Sequence, residues 1–114
     1  MGTAQLNLLQ GTLDLVVLKA LTAGPRHGYE VARWVRETTD GVLSVDDGAL
    51  YTALHRLERR GRVKSEWGAT EANRRAKYYV LTAAGRREHA AAARTWTRYA
   101  EAMFKVLSAA AERA

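Results

Sequence analysis

Residues 47–81 read DGALYTALHRLERRGRVKSEWGATEANRRAKYYVL, and two periodicities meet in them at Gly61. Before the glycine, Leu50, Leu54 and Leu57 recur at i, i+4 and i+7, the inward stripe of an amphipathic helix that Asp46 or Asp47 can cap and that runs to about Arg60. Its opposite face carries Ala49, Thr52, His55, Arg56 and Arg59. After the glycine, Val63, Ser65 and Trp67 alternate with Arg62, Lys64 and Glu66, which is strand spacing. The Tyr- and Val-rich run 76–81 predicts a strand to pair with it. The tip between them, residues 68–75, is polar and basic. A helix followed at once by a hairpin with a cationic tip is the closing half of a winged helix-turn-helix.

The flanks fit the same architecture. Over residues 11–22, Leu13, Val16, Val17, Ala20 and Leu21 recur at helical spacing while Leu15 and Leu18 fill the other side, so this helix is apolar nearly all round. Such a helix is covered on two sides, and in so short a chain a partner subunit is the expected second cover. Gly24 and Pro25 stop it. A second helix is expected from about His27 to Thr38, with Val31, Ala32 and Val35 inward, His27 capping or packing at its start and Gly41 ending it. A short extended piece, residues 42–45, leads into the third. Beyond Thr82 the alanine-rich remainder has no breaker after Gly85 and predicts one long helix, on which His89, Ala93, Trp96, Ala100, Met103, Leu107 and Ala110 form a heptad-like seam. The expected fold is mainly α with a small β-hairpin: a winged helix-turn-helix over residues 1–82 and a C-terminal dimerisation helix over 83–114.

Charge follows the same division. The 114 residues carry 18 Lys and Arg against 12 Asp and Glu, a net +6. Residues 47–87 hold ten of the bases (Arg56, Arg59, Arg60, Arg62, Lys64, Arg74, Arg75, Lys77, Arg86, Arg87) and four of the acids (Asp47, Glu58, Glu66, Glu71), while the remainder is balanced at eight against eight. The whole excess lies in one contiguous third of the sequence, the third helix, the hairpin and the start of the last helix, which points to a polyanionic partner. A chain of this length builds one domain. The lack of cysteine excludes disulfides, thiol nucleophiles and zinc fingers, and His27, His55 and His89 are not at metal-ligand spacing. No cofactor, metal or enzymatic activity is expected. Neither a membrane span nor a secretory leader is legible, so the expected address is cytoplasmic.

The third helix is then the reader. Ala49 is small, Thr52 and His55 form hydrogen bonds, and Arg56 and Arg59 are cationic, so the backbone can approach a major groove while longer side chains reach base edges or phosphates. Arg74, Arg75 and Lys77 are expected along flanking phosphates, with Asn73 in or near the minor groove. A protein-protein adaptor built on the long helix, or a DNA-binding protein without a ligand, remains the alternative.

The residues also carry a family resemblance. Leu13-Asp14, Gly24-Pro25-Arg26-His27-Gly28-Tyr29-Glu30, Gly48-Ala49-Leu50-Tyr51-Thr52-Ala53-Leu54 continuing to Arg56-Leu57-Glu58, Ser65-Glu66-Trp67, and Lys77-Tyr78-Tyr79 with Leu81-Thr82 and Gly85 resemble the PadR family of bacterial transcriptional regulators. The match is to its short branch, with a single C-terminal helix. Thr52 stands where many members have proline. The resemblance implies a homodimeric repressor on a palindromic double-stranded DNA operator, released by a small molecule. Some short members hold planar aromatic compounds between tryptophans of the long helices, and Trp96 occupies the matching position. Leu15, His89, Ala92, Ala93 and Ala100 are expected beside it, and Leu8, Leu9, Trp96, Met103 and Leu107 at the dimer contact. Small Ala92, Ala93 and Ala100 leave room for a slot, although Trp96 can equally serve as dimer packing. Ala100 offers no carboxylate to a cationic ligand, and an exposed helical position is the plainer reading of His89.

Overall fold

Four helices form where caps and apolar spacing agree. The computed structural model describes residues 6–8 and 11–110. Helix α1 (Leu13–Ala20) ends where the Arg26 Nε donates to the Ala20 carbonyl at 2.7 Å, a cation satisfying a helix C-terminus. Helix α2 (Gly28–Thr38) starts at a reciprocal capping box: His27 Nδ1 accepts from the Glu30 amide at 3.4 Å, and Glu30 Oε1 accepts from the His27 amide at 3.1 Å. Asp46 caps α3 (Asp47–Arg59) by accepting from the Ala49 amide at 2.9 Å. Gly61, at φ +73°, closes α3 with the Arg62 amide donating to the Leu57 carbonyl at 2.8 Å. The last helix, α4, runs from Ala83 to Ser108.

Strands β4 (Val63–Ala69) and β5 (Arg75–Leu81) form the expected hairpin, two residues longer at its tip than the alternation alone suggests. Turn chemistry is the reason: Thr70 exchanges backbone hydrogen bonds with Asn73 and Arg74, and Asn73 adopts a left-handed φ of 60°. The other strands have two residues each. β2 (Arg26–His27) pairs antiparallel with β5, and β1 (Leu6–Asn7) pairs parallel with β3 (Leu43–Ser44).

One core joins the three short helices to the sheet. Val17, Leu18, Ala20 and Leu21 of α1 meet Val31 and Ala32 of α2, Leu50, Leu54 and Leu57 of α3, and Val63, Tyr79 and Leu81 of the hairpin. Each buried leucine contributes about 1.5–3 kcal/mol. Leu13, Leu15 and Val16 of α1 stay half-buried, so one side of this apolar helix is only partly covered within the chain. No helix among the described residues is long and apolar enough to cross a membrane.

Candidate nucleic-acid interface

The α3 stripe turns the rest of that helix outward. Ala49, Thr52, His55 and Arg59 are exposed. Arg56 is not free with them. It is half-buried, and its guanidinium is ion-paired with Asp14 of α1, whose hydrogen bonds hold Arg56 above its ordinary pKa. Asp14 lies 42 residues away, beyond any local pattern.

On the hairpin, Asn73, Arg74 and Arg75 are exposed at or beside the tip, while Lys77 is half-buried. Lys77 Nζ stands 3.6 Å from Glu58 Oε1 of α3 and 5.8 Å from the centre of the Tyr79 ring. Ser65 donates to the other Glu58 oxygen at 2.5 Å. Burial, with a contribution from the Glu58 charge, raises the pKa of the Tyr79 hydroxyl at this junction. Glu58 therefore ties both strands to the C-terminal half of α3, so helix and hairpin are presented as one unit. Arg59 and Arg74 are outside any ion pair among the described residues.

Two aromatic groups at this surface escaped the periodicity. Trp67, in line with inward Val63 and Ser65, is 60% exposed and has the Arg75 guanidinium 4.2 Å above its ring, because the hairpin outruns the core at that point. Tyr29 is exposed at the start of α2, under Arg33 and beside His27, which in turn makes an edge contact with Tyr78. Exposed aromatics next to arginines are a legible signal, but only once the hairpin's true length is known.

Residues expected near a ligand surround Trp96 but divide between two grooves. Leu15, Trp34, Val35, His89, Ala93 and Trp96 line one of about 410 Å³ between α1, α2 and α4. Leu15, Ala92, Trp96 and Tyr99 line a second, which shares Leu15 and Trp96 with the first. Ala100 belongs to neither. His89 is half-buried rather than exposed, and burial, then the charge of Lys19, lowers its pKa, keeping it neutral near pH 7. Trp96 makes an edge contact with Tyr99 at 6.1 Å. Met103 and Leu107 are exposed, Leu8 is half-buried, and Leu9 lies outside the described residues. No group of three His, Asp or Glu among the described residues is placed to hold a metal ion.

Comparison with known proteins places this geometry in a family. The profile of the "Transcriptional regulator PadR-like family" matches residues 17–91. A transcriptional regulator from Clostridium thermocellum is 30% identical, superposing with a TM-score of 0.76 over 84% of this chain and 90% of that one. A PadR family transcription regulator from Clostridium difficile is 28% identical, with a TM-score of 0.74 over 86% of this chain and all of the other. Bacillus subtilis PadR, solved in complex with operator DNA, shares the fold at 23% identity, with a TM-score of 0.61 over 68% of this chain and 44% of its own. The family is one of transcriptional regulators rather than enzymes, and the winged helix-turn-helix is its fold. With the matched segment running from α1 through the hairpin into α4, this chain belongs to the PadR-like family of transcriptional regulators.

Proposed function

We propose that the chain binds double-stranded DNA as a homodimer and represses transcription at a palindromic operator, from which a small planar aromatic ligand releases it. In this reading residues 1–82 form the reader, and the segment 83–114, through α4, the dimer contact. The carrying observation is the joint presentation of the exposed α3 face and the cationic hairpin tip through Glu58. A major groove about 12 Å wide accepts a helix, and Thr52 and His55 supply donors and acceptors for base edges. Arg59, Arg74 and Arg75 supply charge to the backbone on either side. A relative solved on its operator supports the assignment.

Dimerisation through α4 has its own support. Trp96, Tyr99, Met103, Phe104 and Leu107 crowd one side of the helix, with Phe104 69% and Leu107 73% exposed. A second copy of the same face covers them, burying about 150–250 Å² per large aromatic. The groove between α1, α2 and α4 supports a flat ligand: two indoles, Trp34 and Trp96, line it with aliphatic walls, and His89 offers a polar atom. Filling it gains apolar burial and about 0.5–1.5 kcal/mol per favourable ring pair. Such a ligand releases DNA only by preferring the dimer arrangement whose reading helices miss half-sites about 34–36 Å apart. A coupling of about 1–3 kcal/mol changes affinity about 5–150-fold.

The test is binding to the chain's own upstream DNA and to random duplex, repeated with a panel of planar aromatics while tryptophan fluorescence is followed. Preference for the upstream DNA, weakened by a ligand that quenches fluorescence, is the expected result. Equal affinity for random duplex refutes sequence reading. Constant DNA affinity with unquenched fluorescence refutes ligand control. Sedimentation of a lone protomer at micromolar concentration refutes the dimer.

A further inference from the structure

Helix α4 carries a second cationic surface that the reading face leaves unused. Arg87, Arg94, Arg98 and Lys105, separated by seven, four and seven residues, are all exposed. At about 100° per residue they fall within an arc of about 40°, a straight row about 27 Å long. Among the described residues none of the four is in an ion pair, and Glu101 is the carboxylate at the border of the row. The row lies on the side of α4 opposite Trp96, Met103 and Leu107. It therefore points away from α1, on which α4 packs and which in turn packs on α3. A duplex held by α3 and the hairpin leaves it free, and so does a partner covering the apolar side.

We propose that this row is a second polyanion-binding surface whose ligand is the backbone of another DNA duplex, so that the protein holds two duplexes at once. The proposal needs no sequence preference at the reading face. A duplex is a stiff rod with one negative charge per about 1.7 Å counting both strands, so a length equal to the row carries on the order of 16 charges, and the row meets those on the facing side without either partner changing shape. A disordered acidic peptide would have to be ordered residue by residue to match it. Anionic membrane is disfavoured by the placement. An interfacial helix buries its apolar face among the acyl chains, and here that face is turned to α1 and, in the proposed dimer, to the partner subunit, so it is not available to insert. Ala83, Ala90, Ala91 and Ala102 flank the row with nothing to insert, and let a flat polyanion approach the backbone.

The experiment saturates a bead-bound short duplex of random sequence with the full chain, then offers a second, fluorescent duplex at several salt concentrations. Wild type is expected to capture it with a slope of log affinity against log salt of about −3.6 when all four cations displace counterions. Arg94→Gln with Arg98→Gln is expected to leave loading on the first duplex unchanged and to halve that slope to about −1.8. Arg74→Ala with Arg75→Ala is expected to weaken the first step instead. Loading on the first duplex without capture of the second overturns the proposal. So does a glutamine variant that captures as well as wild type, since bridging then runs through the two reading heads, or one that loses the first duplex equally. Capture of phosphatidylserine vesicles or polyglutamate in preference to duplex by the row also overturns it. Failure of wild type to load on the first duplex refutes the DNA-binding function itself.

Discussion

Arg56 lies in the sequence among the residues that would touch DNA, and Asp14 takes its charge out of that role. An uncompensated lysine or arginine at a phosphate contributes about 0.9 to the slope of log affinity against log salt, because it displaces about one counterion. Arg56 already has a carboxylate as its counter-charge, so Arg56→Ala should leave the slope close to the wild-type value. Arg59→Ala or Arg74→Ala should each flatten it by about 0.9. The reciprocal change is more telling. Asp14→Asn deletes the counter-charge and leaves Arg56 on the exposed side of α3, so the slope should steepen by about 0.9. Affinity should then change by a further factor of about 3.5 between 50 and 200 mM salt. Folding should survive, since the side chains are 40% and 26% exposed and such a pair is worth about 1 kcal/mol or less. Fluorescence anisotropy of a labelled upstream duplex at four salt concentrations measures the wild type and the four variants. If Arg56→Ala flattens the slope as much as Arg74→Ala, the ion pair opens on DNA. If Asp14→Asn leaves the slope unchanged, the counter-charge does not control Arg56, and the reasoning fails.

Three further outcomes are expected. Gly85→Ala should destabilise although alanine favours helix by about 1 kcal/mol, because its Cβ would lie 2.0 Å from the Arg62 carbonyl oxygen. Gly48→Ala, with the Asp46 carboxylate 3.3 Å away as its nearest neighbour, should be neutral or stabilising. Urea denaturation at one fixed protein concentration compares them, and a more stable Gly85→Ala protein would disprove the packing argument. The lowered pKa of His89 means the unfolded chain takes up its proton first on acidification. That contribution to stability is complete above about pH 6.5 and is lost as pH falls through the folded value. His89→Gln should therefore flatten the pH dependence of the denaturation midpoint between pH 7 and 5, and an identical profile would count against it. Thr52→Ala or His55→Ala should alter preference among sequences, whereas Arg74→Ala weakens all of them alike. A competition assay giving the reverse pattern would mean that the reading face is misassigned.

Much of the architecture was legible because helix caps, apolar stripes and strand alternation agree in this chain. Leu50, Leu54 and Leu57 face the core as their spacing requires, His27 caps α2, and Thr82 starts α4. Two-residue strands β1 and β2 were not legible, since two residues carry no period and their pairing depends on where β3 and β5 come to rest. The site was legible as a face but not as a set of available charges. Arg56 and Lys77 match the pattern yet are held by Asp14 and Glu58, contacts that exist only after α1, α3 and the hairpin have packed together. His89 reads as a surface histidine because sequence spacing does not show α1 lying over it.

The same packing links the two ends of the proposed mechanism. Thr82 Oγ1 donates to the Gly61 carbonyl at 2.7 Å and accepts from the Gly85 amide at 3.0 Å, so one side chain both caps α4 and fastens it to the α3–β4 corner. Arg62 adds an ion pair to Glu88 at 2.5 Å, and Gly85 packs against the Arg62 carbonyl. The first turns of α4 thus cannot move relative to that corner without breaking several contacts together, whereas the helix beyond Trp96 has only exposed side chains, Ala100 apart. In the proposed mechanism a ligand wedged beside Trp96 pushes the far part of α4 away from α1 and α2. Because the reading unit, α1 to α3 with the hairpin, shares one core and is fastened to the first turns of α4, the displacement becomes a rotation of that whole unit relative to the dimer contact. In a two-fold dimer that rotation is applied twice, with opposite sense, at half-sites whose spacing the duplex fixes, so a small movement in each protomer is enough to take one reading helix out of register.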